Sequence, residues 1–134
     1  MRLVLDACVV IASTRAAEPS HAIAKARIER VLRGDDEIVV PSFFVVETSG
    51  ALARLGQPQA DIVALVDALT SSPHTIVTVG PRSARAARAV AIAARLRGPD
   101  ALYVWLAARE GVPLCTLDHE IVTRGATHCQ VIAP

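Results

Sequence analysis

Four acidic residues stand where an acid is costly. Asp6 and Asp118 each follow directly on a short apolar run, RLVL and PLCTL, while Glu47 lies inside FFVVETSGAL and Asp100 opens onto ALYVWLA. An isolated ionised carboxylate in such surroundings costs several kcal/mol or shifts its pKa until it is neutral. Four of them gathered together would repel one another unless a cation sat among them. Oxygen-only ligation favours a hard divalent ion, Mg²⁺ or Mn²⁺. Such a site suits hydrolysis of a phosphodiester, in which the ion activates a water and one or two ions stabilise the charge on phosphorus and the leaving oxygen. No Ser, Cys or Lys has a convincing activating partner, so the pattern asks for no covalent nucleophile. Each acid also has a plainer reading. Asp6, Asp100 and Asp118 fit as helix N-caps, worth about 1 kcal/mol apiece, and Glu47 as the partner of Arg54 or Arg15. The conjunction of two strand-end acids with two acids on apolar helices favours one shared site.

The elements that must position these residues follow from periodicity. Short β-rich runs alternate with Ala- and Arg-rich stretches of helical period, the pattern of βαβ units around a mainly parallel sheet. Strands are expected at Arg2–Leu5, Glu37–Val40, Thr75–Val79, Val112–Leu117 and, as a last edge, Gln130–Ile132. Helices are expected at Cys8–Ser13, from Pro19 to Arg33 with Gly34 as stop, from a Ser42 N-cap to Leu55, from Pro58 to the Thr70–Pro73 turn, from Pro81 to Leu96, and at Asp100–Glu110. The strands before Asp6 and Asp118 read as buried on both faces, which makes them central neighbours. Their acids then emerge at the carboxyl edge, where open α/β sheets bind ligands.

The bulk numbers bound the rest. At 134 residues the chain suits one core, so residues 1–134 are expected to form one domain. A formal charge of +1 gives no sign of a polyanion-binding protein, so nucleic-acid contact has to come from local clustering. Arg82, Arg85 and Arg88, with Arg95 and Arg97 beyond them, offer such a cluster, since no acid lies between Gly80 and Asp100. These side chains could contact phosphates flanking a metal site or form a solvated face. Phe43, Phe44, Tyr103 and Trp105 lie in apolar helices and read as core or dimer surface. Cys8, Cys115 and Cys129 lack paired spacing and read as reduced core residues; a zinc site combining them with His119 or His128 is poorly supported by spacing. The apolar start is interrupted by Asp6 and does not read as a signal peptide, and no run approaches the length of a membrane span. A cytoplasmic protein is expected.

Taken together, VLDACVVIA, VVETSGAL, GPDALYVWLA and LCTLDHE, in that order across almost the whole chain, resemble the PIN domain, in particular the bacterial toxin ribonucleases of the VapC type. The resemblance implies a three-layer α/β/α sandwich, Mg²⁺- or Mn²⁺-dependent endoribonuclease activity on RNA, homodimerisation and inhibition by a small cognate antitoxin. It carries the family's acidic quartet onto Asp6, Glu47, Asp100 and Asp118. Asp6, Asp100 and Asp118 are then metal ligands, and Glu47 is either a ligand or the residue that orients the attacking water. Thr116, two residues before the last acid, corresponds to a hydroxyl residue that supports the site. Glu120 is a weaker further candidate, with a solvated helix-start acid as its plainer reading. One position departs from the family: Cys8 stands where Ser or Thr is common, a weaker hydrogen-bond partner beside the metal.

Two other classes remain open. The same fold without catalysis would be a PIN-like module that binds RNA or a protein, with Cys8 marking a decayed site. A phosphatase or phosphotransfer domain would use Asp6 as a covalent nucleophile. A dehalogenase-type enzyme, however, wants Asp where Cys8 stands, and a receiver-type domain wants a late lysine, whereas the one lysine is Lys25.

Overall fold

Leu3, Val4 and Leu5 are wholly buried, and this explains the first strand: an apolar run too short for a helix is covered on both faces. The computed structural model, describing residues 1–134, places it as β1 (Arg2–Leu5) at the centre of a five-stranded sheet. Around it lie β2 (Glu37–Pro41), β3 (Thr75–Val77), β4 (Leu114–Cys115) and β5 (Val131–Ile132), in the order β3-β2-β1-β4-β5. Every pairing is parallel, with Leu3 opposite Ile38 and Leu5 opposite Cys115. The expected adjacency of the first and fourth strands is therefore what the structure contains.

The helices are α1 (Ala7–Ser13), α2 (His21–Leu32), α3 (Phe44–Arg54), α4 (Gln59–Thr70), α5 (Pro81–Ala94) and α6 (Gly98–Glu110). The chain steps outward from β1 to β2 to β3, then jumps back across the sheet to β4. Right-handed crossovers in opposite directions put their helices on opposite faces. Accordingly α1 to α4 pack among themselves, whereas α5 packs on α6, which covers β1, β2 and β4. The result is a three-layer α/β/α sandwich. The reversal falls between β1 and β4, so the crevice at their carboxyl ends is the switch point of the sheet. One buried apolar cluster joins strands and helices and includes Phe44 and Tyr103.

Local details depart from the expected boundaries. Ser42 does not cap α3. Its N–H donates to the Val77 carbonyl (2.8 Å) and its Oγ accepts from the Val79 N–H (3.1 Å), prolonging the ladder between β2 and β3. The helix begins at Phe44 with no side-chain cap. Gly98 and Pro99 do not precede α6 but form its first turn, where a proline lacks no needed N–H. The break before it is Arg95, at φ 53°. Strand β4 pairs over two residues, shorter than its apolar run. A π-helical turn at Ile121–Gly125, which the periodicity did not announce, follows Asp118. Gly125 is needed there: a Cβ would lie 2.9 Å from Val104 Cγ2 in α6.

Candidate functional site

The four acids arrive from four elements. Asp6 ends β1, Asp118 lies just beyond β4, Glu47 is in the first turn of α3 and Asp100 in the first turn of α6. Asp6 and Asp100 are 6% and 9% exposed, Glu47 and Asp118 half-buried. For Asp6 and Asp118, capping and site-facing roles divide between the two oxygens. Asp6 Oδ1 accepts from the Cys8 N–H that opens α1 (3.1 Å), and its Oδ2 accepts from the Thr116 hydroxyl (2.6 Å). Asp118 Oδ1 accepts from the Glu120 and Ile121 N–H groups (2.7 and 3.3 Å), leaving Oδ2 directed elsewhere. The plain N-cap reading and the site reading are thus compatible, because each uses a different atom.

Thr116 is the hinge of this arrangement. While donating to Asp6, its Oγ1 accepts from the Asp118 N–H (3.0 Å), so one hydroxyl ties the two strand-end acids together. The Cys8 thiol stands 3.5 Å from the same oxygen and accepts from the Leu117 N–H at 3.3 Å. Cys8 therefore fills the supporting position, through weaker sulfur contacts. Its pKa is pushed up to about 12, by burial first and then by Asp6, so it stays a thiol.

The electrostatics show crowding. Burial pushes the Asp6 carboxyl above its ordinary range, against the hydrogen bonds from Thr116 and Cys8, and Asp118 adds repulsion. Burial likewise raises Glu47, with further repulsion from Asp6 and Asp100, and raises Asp100, with repulsion from Asp118 and Asp6. Neither Arg54 nor Arg15 pairs with Glu47; Arg15 binds Glu18 instead. The Glu47 partner is the Tyr103 hydroxyl, which donates to Oε2 at 2.6 Å while the Tyr103 ring packs edge-on against Phe43. From the sequence Tyr103 is expected in the core or on a dimer surface. It is core, but it also reaches the acids. Its place one turn after Asp100 on α6, aligned on the same helix face, is the signal that could have revealed this.

One cation enters the cluster. Arg97 Nε donates to Asp100 Oδ2 at 3.0 Å and its Nη2 to Asp118 Oδ2 at 3.4 Å. Expected among the arginines that could face phosphate, Arg97 lies on the acids themselves. One guanidinium cannot balance four carboxylates, and no three His, Cys, Asp or Glu side chains stand at metal-clasping distance. The side chains that meet here are oxygen donors, the chemistry a hard divalent ion prefers, and a cation already lies on two of them.

The remaining candidates fall outside the cluster. Glu120 pairs with Arg124 at 2.7 Å and is exposed, as its plainer reading had it; its backbone N–H, not its carboxylate, contacts Asp118. Arg82, Arg85 and Arg88 are exposed and form no ion pair or hydrogen bond with the acids. Arg82 lines a 550 Å³ groove with Trp105 and Arg109. A third buried acid gives no signal in the sequence: Asp36, just before β2 at the opposite edge, is held by both nitrogen arms of Arg30, by Arg27 and by the Met1 amine. Those hydrogen bonds, Arg30 first, hold its carboxyl far below the ordinary range. The two edges therefore differ in kind: acids outnumber cations at the carboxyl edge and the reverse holds around Asp36.

An α/β/α sandwich whose switch point carries an oxygen-only acidic cluster is the class that fold and site define. The family model described as the PIN domain matches residues 3–125, and the chain belongs to that family, in its VapC group. Ribonuclease VapC31 of Mycobacterium tuberculosis is 30% identical over 125 residues, covering 87% of this chain and 88% of the relative. Among solved structures, VapC20 of M. tuberculosis, described as a sarcin-ricin loop cleaving toxin, matches with a TM-score of 0.71 at 16% identity, over 90% of this chain and 93% of that one. VapBC2 from Rickettsia felis, bound to a DNA fragment from its promoter, matches with a TM-score of 0.69 at 12% identity, over 100% of this chain and 99% of that one. No helix is long and apolar enough to cross a membrane.

Proposed function

We propose that this protein is an Mg²⁺- or Mn²⁺-dependent endoribonuclease that acts as a toxin, works as a homodimer of one-domain chains in the cytoplasm and is held inactive by a cognate antitoxin. The observation that carries the reading is the meeting of Asp6, Glu47, Asp100 and Asp118 at the switch point, with one supporting hydroxyl and too few cations. The 30% identity to a ribonuclease supports the RNA substrate, and the likeness of the fold to VapBC2 supports an antitoxin partner. Asp6 and Asp118 would hold the ion through the oxygens their capping roles leave over, and Asp100, which caps no helix, through its carboxylate. A bound divalent ion supplies a lowered water pKa and charge to stabilise the phosphorane-like transition state. Glu47, fixed by Tyr103, is placed to complete the ligand set or to accept a hydrogen bond from the attacking water. Thr116 ties the Asp6 carboxylate to the Asp118 backbone, so the two strand-end acids are held near each other before substrate arrives.

The test is cleavage of RNA by the purified protein in Mg²⁺ or Mn²⁺ and in chelator. Activity should require the ion and fall by about 100-fold or more in Asp6→Asn and in Asp118→Asn, with the circular dichroism spectrum retained. A second reading, a PIN-like module that binds RNA or protein without cutting, is favoured by the Arg97 bridge and by sulfur at position 8. Equal inertness of wild type and variants at all ion concentrations would select it.

A further inference from the structure

We propose that Arg97 is the resident counter-ion of the acidic site: it bridges Asp100 and Asp118 when no divalent ion is bound, must leave them for the ion to enter, and so sets the affinity for that ion. The inference rests on the reading of the quartet as a metal site and adds a residue that the quartet does not include.

Three observations converge on Arg97. Its two nitrogens contact acids on separate elements, Asp100 at the start of α6 and Asp118 beyond β4. On Asp118 the guanidinium takes Oδ2, the oxygen that the π turn leaves over, which is the atom a metal ion would need. Its side chain is 74% exposed, so withdrawal breaks two hydrogen bonds without unpacking the core. The arm to Asp118 is the longer at 3.4 Å and is the natural first to part. A compact divalent ion brings twice the charge to the same oxygens and accepts ligands from several directions. The planar guanidinium can span two acids but cannot draw Asp6 to them. Arg124 cannot replace Arg97 in this role, because it is engaged by Glu120 and by the Arg95 carbonyl.

The experiment follows the Arg97 Nε–H resonance by NMR while the full chain is titrated with Mg²⁺, alongside calorimetry of Mn²⁺ binding to wild type, Arg97→Gln and Arg97→Lys. In the ion-free protein the Nε–H should be protected by Asp100. It should shift and lose protection in step with ion binding. Arg97→Gln should bind Mn²⁺ about fivefold tighter than wild type, the scale of losing an exposed ion pair. Arg97→Lys keeps the charge but cannot span both acids, and should also bind more tightly than wild type, by less. An Nε–H that stays unmoved at saturation, or an Arg97→Gln affinity equal to or weaker than wild type, overturns the inference and leaves the metal-site reading standing. Wild type binding neither ion removes both together. The NMR arm uses unaltered protein, so a misfolded variant does not spare the proposal.

Discussion

Thr116 bears more of the site than its size suggests. A single hydroxyl donates to a buried carboxylate and accepts from the Asp118 N–H. Thr116→Val keeps the shape and deletes both bonds, leaving two shielded polar groups unpaired. It should cost about 1–3 kcal/mol in chemical denaturation and reduce Mn²⁺ affinity by about 10- to 100-fold. Thr116→Ser should restore most of both, and a Ser variant as poor as Val would mean that packing of the methyl group, not the hydroxyl, is what matters. Asp6 offers a test of crowding. In Asp6→Asn the amide can donate to Thr116 Oγ1, whose own proton then turns to the Cys8 sulfur 3.5 Å away. Without metal at neutral pH the variant should be as stable as wild type or more so, because a charge that burial and Asp118 disfavour is gone. The sign with pH follows from the raised folded-state pKa. Between the ordinary carboxylate range, about 4, and that raised value, the native state binds more protons than the unfolded one. Wild-type stability therefore gains as pH falls through that window and the variant's advantage shrinks. A large loss in Asp6→Asn at every pH would make Asp6 a structural cap alone.

At the scale of elements, the π turn after β4 is the part most exposed to a single change. It lets Asp118 Oδ1 collect two N–H groups, and it closes against α6 at Gly125, where a methyl would meet Val104 at 2.9 Å and Ile121 at 3.3 Å. Both neighbours are buried side chains with little room to yield. Gly125→Ala should destabilise by about 1–3 kcal/mol and also weaken Mn²⁺ binding, since the turn that aims Asp118 has to shift. Thermal melts with and without the ion would show both effects. A variant as stable as wild type, with unchanged affinity, would mean that the turn moves freely of the site. The short β4 has the same logic: two paired residues suffice because α6 and β1 cover them, and the chain turns away early enough to carry Asp118 into the crevice.

Across the whole molecule the two edges of the sheet have opposite electrostatic characters. Around Asp36 the fold draws Arg27 and Arg30 of α2 onto the start of β2, joining the helix layer to the sheet by an ion cluster whose carboxylate is buried and whose Arg30 arm reaches solvent. Asp36→Asn strips the guanidiniums of their charged partner and should cost about 3 kcal/mol, or roughly 10 °C in the thermal midpoint for a chain of this size. Because the Asp36 pKa is depressed on folding, chiefly by the Arg30 hydrogen bonds, its contribution is complete above the ordinary carboxylate pKa of about 4 and is lost as pH falls below it. The stability gap between wild type and Asp36→Asn should therefore be constant from pH 5 upward, within roughly that range, and close on acidification. A gap that persisted in acid would point to packing in place of charge.

Much of this was legible in the chain itself. Local apolar runs ending in Asp6 and Asp118 announced buried strands with acids at their carboxyl ends, and helical period separated by turn residues announced parallel βαβ units. These signals are local, because burial of a short segment constrains its own composition. The plainer readings were also partly right: Asp6 and Asp118 are caps, and only atomic geometry shows that capping occupies one oxygen and spares the other. What the chain could not display was side-chain partnership across elements. Tyr103 looked like an ordinary core aromatic until its hydroxyl was found on Glu47. Arg97 looked like one of several arginines until α6 and the turn beyond β4 placed Asp100 and Asp118 on either side of it. Asp36 sat unnoticed in a polar turn because its arginines belong to the preceding helix and converge on it only when that helix lies on the sheet. Composition and period determined which layers form and which strands are central, since those depend on the removal of apolar surface from water. The direction of each carboxylate oxygen, and the cation that answers it, was decided by the tertiary structure, because hydrogen bonds and ion pairs act over a few ångströms between groups far apart in the chain.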